Sequence, residues 1–352
     1  MIKIGIRVDG NKNIGMGHIM RCLSLAKGFR NAGIEVFFLS IYEQGILKIR
    51  GDGFEVIELS HSVGSYCEGF CYGDVKSLEN EAEEIISGIK AYNISILFVD
   101  SYNVTESYFL KLKPFVRKLC YIDDVNKFPY PVDMLINGNI TGEFLHYKGY
   151  FKDEIMLLGL NYNLIRDEFK ELPLRTINRD IKEIMITTGG SDPFDLSIRL
   201  AEIILSDSTF VGIRVNIVAG NGFTNREQLR NLSRKNTRVM IYENVSKMSE
   251  IMQKSEIAIS AGGSTLYELC ACGTPTLAFI VAENQKEIVD MLCEKGYIQS
   301  LGWYNEFSDE EFLHKLKLLC EDREKRESYS KKMQKLVDGE GVNRVVNKII
   351  KV

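Results

Sequence analysis

The sequence predicts an α/β protein built as two parallel-sheet halves. Three observations carry that expectation. Short β-rich apolar runs alternate with longer helical stretches from end to end, the runs are apolar on both faces, and the alternation lapses once into a polar stretch before restarting. Strands apolar on both faces must be covered by helices on both sides, which right-handed crossovers between parallel strands supply. A chain of 352 residues also has the length for about two domains, at roughly 150 residues each.

In the first half, Lys3–Val8 reads as a strand and residues 20–32 as a helix closed by Gly33. Glu35–Ser40 and residues 55–59 continue the strand series, and Leu78–Tyr92 has helical periodicity through Ile85, Ile86 and Ile89. Residues 94–99, 119–122 and 134–136 are strands that break at Asp100, Asp123 and Asn137. The lapse is IRDEFKELPLRTINRD, residues 165–180, with Pro173 inside it. The second half has strands at 183–188, Arg214–Ala219, 238–242, 257–260 and 276–281, with helices at 195–205, 225–234, 245–253, 264–271 and 285–295. Helical patterns run from Asp309 to the end. The expected division is therefore a first domain over 1–165, a linker over 166–180 and a second domain with a helical tail over 181–352, with ligand bound in the cleft between the halves. No tandem repeat or low-complexity segment interrupts the pattern.

Composition narrows the function classes. A content of 45% hydrophobic and 26% charged residues is that of a folded soluble protein rather than a disordered one. With 44 Lys+Arg against 48 Asp+Glu the net charge is -4, which argues against broad nucleic-acid or anionic-membrane binding. No run of about 18 uncharged apolar residues is present to span a bilayer. The opening MIKIGIRVDG reaches Arg7 and Asp9 before an apolar signal core could form. Most of the eight cysteines sit in apolar runs such as LCACGTP, and Cys67 and Cys71 have no partners at zinc-site spacing. Reduced thiols and a cytoplasmic location are the expectation, while oligomeric state is not legible.

Three glycine turns, each between a strand and a helix, are the candidate chemistry. The first is RVDGNKNIGMGHIMR, residues 7–21. Gly15 and Gly17 permit close approach of a ligand, and His18 opens the helix at the carboxyl edge of the sheet, where α/β proteins bind ligands. The helix dipole favours its neutral form, suited to a general base. The plainer reading is a tight turn whose His bonds to its own loop. Arg7, Asp9 and Arg21 are near enough in sequence to reach the same space or simply tie the loop. The motif lacks the third glycine of GxGxxG.

The second turn is TTGGSDP, residues 187–193, where Gly189, Gly190, Ser191 and Asp192 suit a phosphate or a hydroxyl-rich ligand. The third is SAGGSTLYEL, residues 260–269, where Ala261, Gly262, Gly263, Ser264 and Thr265 offer N–H and hydroxyl donors to a diphosphate at a helix start. Glu268 could accept both hydroxyls of a ribose, or could be a capping carboxylate. Neither turn is a Walker motif. Asn284 and Gln285, in AENQK, could read sugar hydroxyls and acetamido groups or cap the next helix. Asp100, Tyr102, Asp123 and Asp124 end two strands. Adjacent carboxylates could bind a divalent cation, but no third ligand is evident, so a loop cap or substrate-hydroxyl contact suits these strand ends better. His61, His146 and His314 occupy no comparable turn.

Taken together, these blocks resemble the PseG family, hydrolases of UDP-2,4-diacetamido-2,4,6-trideoxy-β-L-altropyranose. The similarity runs through RVDGNKNIGMGHIMRCLSLA, VDSY (99–102), YIDD (121–124), LINGN (135–139), LIRDEF (164–169), TGGSD (188–192), SAGGSTLYE (260–268) and ENQ (283–285). SpsG-type spore-coat proteins share the opening, and MurG-like glycosyltransferases share the second-half signature. The resemblance implies a GT-B fold of two Rossmann-like domains and inverting hydrolysis of a UDP-sugar without metal or cofactor. It implies His18 as the base that activates water, Tyr102 and Asn284 holding sugar or water, both second-half turns holding UDP, and Glu268 on the ribose. The chemistry agrees: UDP leaves as a stable anion, so no acid is needed if N–H donors meet its charge, and one base suffices. An inverting glycosyltransferase with the same donor and a non-catalytic nucleotide-sugar binder are the other readings.

Overall fold

The computed structural model describes residues 2–11, 14–60 and 77–351. His61, Cys67 and Cys71 lie outside the described residues. The chain divides into two compact units, Met1–Arg166 with Glu340–Val352, and Asp167–Gly339.

The first unit contains β1 (Lys3–Val8), α1 (Gly17–Asn31), β2 (Glu35–Ser40), α2 (Glu43–Gly51), β3 (Glu55–Glu58), α3 (Leu78–Tyr92), β4 (Ile96–Asp100), α4 (Glu106–Leu112), β5 (Lys118–Ile122), β6 (Met134–Asn137) and β7 (Ile155–Leu158). The strands form one parallel sheet in the order β3-β2-β1-β4-β5-β6-β7. Alternate residues of a strand serve opposite faces: Ile96 and Phe98 pack with Ile19, Cys22 and Phe29 of α1, while Leu97 and Val99 pack with Ile85 and Ile89 of α3 and Phe109 of α4. Strand order reverses between β1 and β4, which pair with Val8 opposite Asp100. At such a reversal the following loops diverge to opposite faces and leave a crevice at the carboxyl edge.

The second unit contains β8 (Glu183–Thr187), α5 (Leu196–Ser206), β9 (Arg214–Ala219), α6 (Arg226–Lys235), β10 (Val239–Glu243), α7 (Met248–Lys254), β11 (Ile257–Ala261), α8 (Thr265–Cys272), β12 (Thr276–Ile280), α9 (Glu283–Glu294), β13 (Gln299–Trp303), α10 (Asp309–Glu321) and α11 (Arg323–Leu336). Its parallel sheet has the order β10-β9-β8-β11-β12-β13 and reverses between β8 and β11, where Thr187 pairs with Ser260. The last helix, α12 (Gly341–Ile350), belongs to the first unit.

The first stretch ends within one residue of the expected 165, whereas the expected linker and the end of the second domain differ from the units found. Residues 167–180 form part of the second unit rather than a free linker. Phe169 and Ile177 are buried, Arg175 donates to Thr274 Oγ1 at 2.9 Å and Met252 O at 3.1 Å, and Arg326 donates to the carbonyls of Asn178 and Arg179. The polar composition concealed these anchors, because the arginines' partners here are remote in sequence. The second unit ends at Gly339. Val342, Val345, Val346 and Ile349 of α12 are buried in the first unit's core with α1, and a Cβ on Gly28 would stand 2.4 Å from Val342 Cγ1. The tail thus splits, with α10 and α11 staying on the second unit.

Four elements escape the sequence patterns. In α2, Gly45 breaks the helical composition, yet its lack of a side chain lets the helix pack against the Gly10 backbone. The short α4, the strand β7 at one end of the first sheet, and β13, whose pairing with β12 shifts register and which contains Gly302 at φ 78°, are too weakly patterned to read. Among the described residues, no helix is long and apolar enough to cross a membrane. Six described cysteines are free, and Cys22, Cys120, Cys270 and Cys272 are buried.

Candidate functional site

The reversal in the first sheet gathers one connected set of polar side chains. The turn after β1 is shaped by Asn11, whose carbonyl accepts from Gly15 N (2.8 Å) and whose Oδ1 accepts from Ile14 N (2.8 Å). Gly15 takes φ 82°, a region a Cβ disfavours, and among the described residues neither Gly15 nor Gly17 has a neighbour where a Cβ would project. His18 then enters the first turn of α1 with its ring largely buried. Its Nδ1 lies 2.6 Å from Asp100 Oδ1, at the end of β4.

Asp100 is completely surrounded. Arg21 Nη2 donates to Oδ1 at 2.6 Å and Nε to Oδ2 at 2.6 Å, and the Cys22 thiol donates to Oδ2 at 3.2 Å. Arg21 Nη1 donates to both oxygens of Asp124 at 2.9 Å. Asp124 also accepts from Tyr102 OH (2.6 Å) and Asn139 Nδ2 (2.7 Å). The Tyr102 ring meets the His18 ring edge-on, with centroids 5.0 Å apart. Burial favours the neutral acid of Asp100, but Arg21 and His18 outweigh it and hold the carboxyl well below the usual range. Burial likewise opposes the Arg21 charge, and Asp100 and Asp124 outweigh it and raise its pKa. Burial, reinforced by Asp100, pushes the Cys22 thiol up, so it stays neutral.

Two residues expected to contact substrate are committed elsewhere. Arg7 is buried and pairs with Asp9 (2.6 Å) and with Glu81 (2.7 Å), which also accepts from Tyr108 OH at 2.8 Å. Asp9 accepts from Ile41 N (2.9 Å) and Ser40 Oγ (3.2 Å). Their side chains tie the turn after β1 to the turn after β2, because a buried charge requires partners. Asp123 and Asp124, adjacent in sequence, diverge. Asp123 accepts from Tyr130 OH (3.0 Å), Tyr147 OH (2.5 Å) and the N–H groups of Val125 and Asn126, and burial pushes its pKa up despite these bonds. His146 and His314 are exposed.

In the second unit the reversal brings both glycine turns to the carboxyl ends of neighbouring strands, β8 and β11. Gly189 has φ 95°, and among the described residues neither Gly189 nor Gly263 has a neighbour where a Cβ would project. Gly262 differs: its Cβ would stand 2.4 Å from Val289 Cγ2, so its bareness lets α9 pack against the turn. Ala261 is buried at the end of β11, Gly190 and Ser264 are exposed, and Ser191, Thr265 and Glu268 are half-buried. The Asp192 side chain is engaged within its own unit. It accepts from Leu196 N and Ser197 N (3.0 Å each), from Asn225 Nδ2 (3.2 Å) and from Ser197 Oγ, and so caps α5. Gln285 Oε1 accepts from Val281 N at 3.0 Å, a capping role for its carbonyl, and Asn284 is exposed in the first turn of α9, which starts at Glu283 rather than at Gln285.

Residues 184–343 match the glycosyltransferase family 28 C-terminal domain. The chain is 29% identical over 307 residues to an uncharacterized protein of Methanocaldococcus jannaschii, covering 84% of this chain but only 59% of that relative's length. It is 24% identical over 351 residues to the spore coat polysaccharide biosynthesis protein SpsG of Bacillus subtilis, covering 97% of this chain and 96% of SpsG. It is 25% identical over 301 residues to the UDP-2,4-diacetamido-2,4,6-trideoxy-beta-L-altropyranose hydrolase of Campylobacter jejuni, covering 84% of this chain and 98% of the relative. Acinetobacter baumannii MurG has the same fold, with a TM-score of 0.69 at 13% identity over 100% of both chains. The chain is a PseG-like relative with a GT-B fold.

Within this PseG-like chain, two contacts of the first unit were not foreseen: Asp100, expected as a loop cap or substrate contact, stands beside His18, and Asn139 stands beside Asp124. A signal for Asp100 was present, since an acidic residue closing the strand next to β1 must face the same edge as His18. Asn139 offered none, because its contact depends on how the loop after β6 folds. Among the described residues, no group of three or more His, Cys, Asp or Glu is arranged to hold a metal ion.

Proposed function

We propose that the protein is an enzyme acting on nucleotide sugars, and specifically a hydrolase that cleaves the anomeric C–O bond of a UDP-activated diacetamido-trideoxy sugar with inversion, in nonulosonic (pseudaminic) acid biosynthesis. The observation that carries the reading is His18, seated at the reversal of the first sheet with one ring nitrogen on Asp100, in a chain similar over 98% of a relative named for that hydrolysis.

In the proposed step a water oxygen bonds to the anomeric carbon as the bond to the diphosphate oxygen breaks. The electron pair leaves on UDP, and the water's proton passes to His18, which later releases it to solvent. Tyr102 and Asn284 would hold the sugar or the water, and Gly15 and Gly17 would leave room for them. The turns at Gly189–Gly190–Ser191 and at Ala261, Gly262, Gly263, Ser264 and Thr265 would hold UDP, with Glu268 on the ribose. N–H donors fixed in advance at a helix start stabilise the developing diphosphate charge without reorganising. Arg21 and Asp124 would act behind the sugar rather than on it, since each is already held by the other.

An inverting glycosyltransferase is the second reading, favoured by the match of residues 184–343 to a glycosyltransferase domain. Incubating purified protein with candidate UDP-sugars in EDTA, without acceptor, separates the two. Free UDP appearing together with free sugar supports the hydrolase, and release only on adding a saccharide or lipid acceptor supports the transferase.

A further inference from the structure

We propose that Asp100 and Arg21 form a positioning pair that keeps the proton of neutral His18 on Nδ1 and leaves Nε2 as its lone pair. The inference rests on the hydrolase reading only for what Nε2 then does.

Three donors converge on the Asp100 carboxylate, two arms of Arg21 and the Cys22 thiol, and the His18 ring stands against it. Its oxygens therefore act as acceptors only, and an imidazole nitrogen 2.6 Å from one of them must present a hydrogen, because two facing lone pairs at that distance repel. The competing arrangement would have Nδ1 accept from Arg21 Nη2, which lies 3.1 Å away. That contact is longer, and Nη2 already donates to Asp100 Oδ1 at 2.6 Å. The shorter, charge-assisted bond decides the tautomer.

Arg21 adds a second constraint. Its fork spans both oxygens of Asp100 while Nη1 spans both oxygens of Asp124, which Tyr102 and Asn139 hold in turn. A guanidinium fixed in this way lowers the basicity of Asp100. A proton taken up at Nε2 then stays on the ring as imidazolium, paired to Asp100, instead of moving from Nδ1 onto the carboxylate. Arg21, expected from the sequence to touch substrate, becomes a residue that acts through His18 and Asp100.

Long-range ¹⁵N–¹H NMR of the imidazole nitrogens, at a pH where the ring is neutral, tests the claim on the intact wild-type protein without substrate. The expected result is a proton on Nδ1 and none on Nε2. In Asp100→Asn the side-chain amide can donate to Nδ1, so the proton should move to Nε2 and kcat should fall about 10³-fold with UDP affinity within a few-fold. Arg21→Lys, which keeps charge but not the fork, should recover part of the turnover lost in Arg21→Met. A wild-type proton on Nε2, or an Asp100→Asn protein with wild-type tautomer and kcat, overturns the positioning pair. Wild-type turnover in His18→Ala would instead sink the hydrolase mechanism, and the NMR result would still decide the tautomer.

Discussion

His18 and Asp100 are 82 residues apart in sequence, and their side chains meet at 2.6 Å. The contact follows from strand order: β1 and β4 are parallel neighbours with Val8 opposite Asp100, so the residue closing β4 faces the turn that opens α1. If the imidazole is the base, His18→Ala should lower turnover of a UDP-sugar by roughly 10²–10⁴-fold, the usual range for general-base assistance. UDP affinity should stay within a few-fold, measured by calorimetry on the same preparation.

Acid sensitivity follows from the same carboxylate. The folded Asp100 has its pKa lowered by Arg21 and His18 against the opposing effect of burial. Its contribution to stability is therefore fully present above the ordinary carboxylate range near about pH 4 and is lost as pH falls below it. Thermal melts between neutral and acidic pH should show wild-type protein losing more stability than Asp100→Asn. Parallel losses in the two proteins would mean that Asp100 is not the coupled group.

The neighbouring glycines of the third turn should separate packing from binding. Gly262→Ala forces a Cβ to 2.4 Å from Val289 Cγ2 and should destabilise by about 1–3 kcal/mol, read as a lower melting temperature. Gly263→Ala meets nothing among the described residues and should melt like wild type; if the turn holds UDP as proposed, it should bind UDP about tenfold more weakly, because the new methyl would take space the diphosphate needs. Unchanged UDP affinity in Gly263→Ala would remove that turn from the nucleotide site.

Glu268 sits half-buried in the first turn of α8. Under the ribose assignment, Glu268→Ala should weaken UDP binding by about tenfold, the worth of one or two hydrogen bonds to a charged group, while slowing bound substrate much less. Comparing single-turnover rates with UDP dissociation constants makes the distinction. A loss confined to the rate would transfer Glu268 from recognition to chemistry.

The C-terminal helix should support the helix that carries His18. Gly28→Leu, directed at Val342 Cγ1 only 2.4 Å from the would-be Cβ, should cost about 1–3 kcal/mol by overpacking. Adding Val342→Ala should restore part of the loss by making room, a coupling that a double-mutant cycle measures. Additive effects would show that α12 does not bear on α1 at this point.

Much of this architecture was legible from local pattern. Ile4, Ile6 and Val8 alternate onto the α1 face of the sheet, and Ile85, Ile86 and Ile89 recur with helical spacing on α3. Two-residue and 3.6-residue periods survive in the sequence because they record which side of an element is buried. The elements that escaped had no such record. Gly45 in α2 is dictated by the nearby Gly10 backbone, and Gly302 in β13 by a positive φ. The segment around Arg175 looked like solvent-exposed linker because its anchoring carbonyls belong to residues 252 and 255.

The amino-acid order alone determined two parallel α/β units, three glycine turns at the starts of helices, and a histidine opening the first of them, since each of these is written in residues a few positions apart. Folding in three dimensions decided which charges touch. It joined Arg7 and Asp9 to each other and to Glu81, used the Asp192 carboxylate to cap α5, parted Asp123 from Asp124, carried α12 back to the first unit, and set Asp100 against His18. Those outcomes depend on strand order and register between segments far apart in the chain, and no local period encodes which strand will lie beside which.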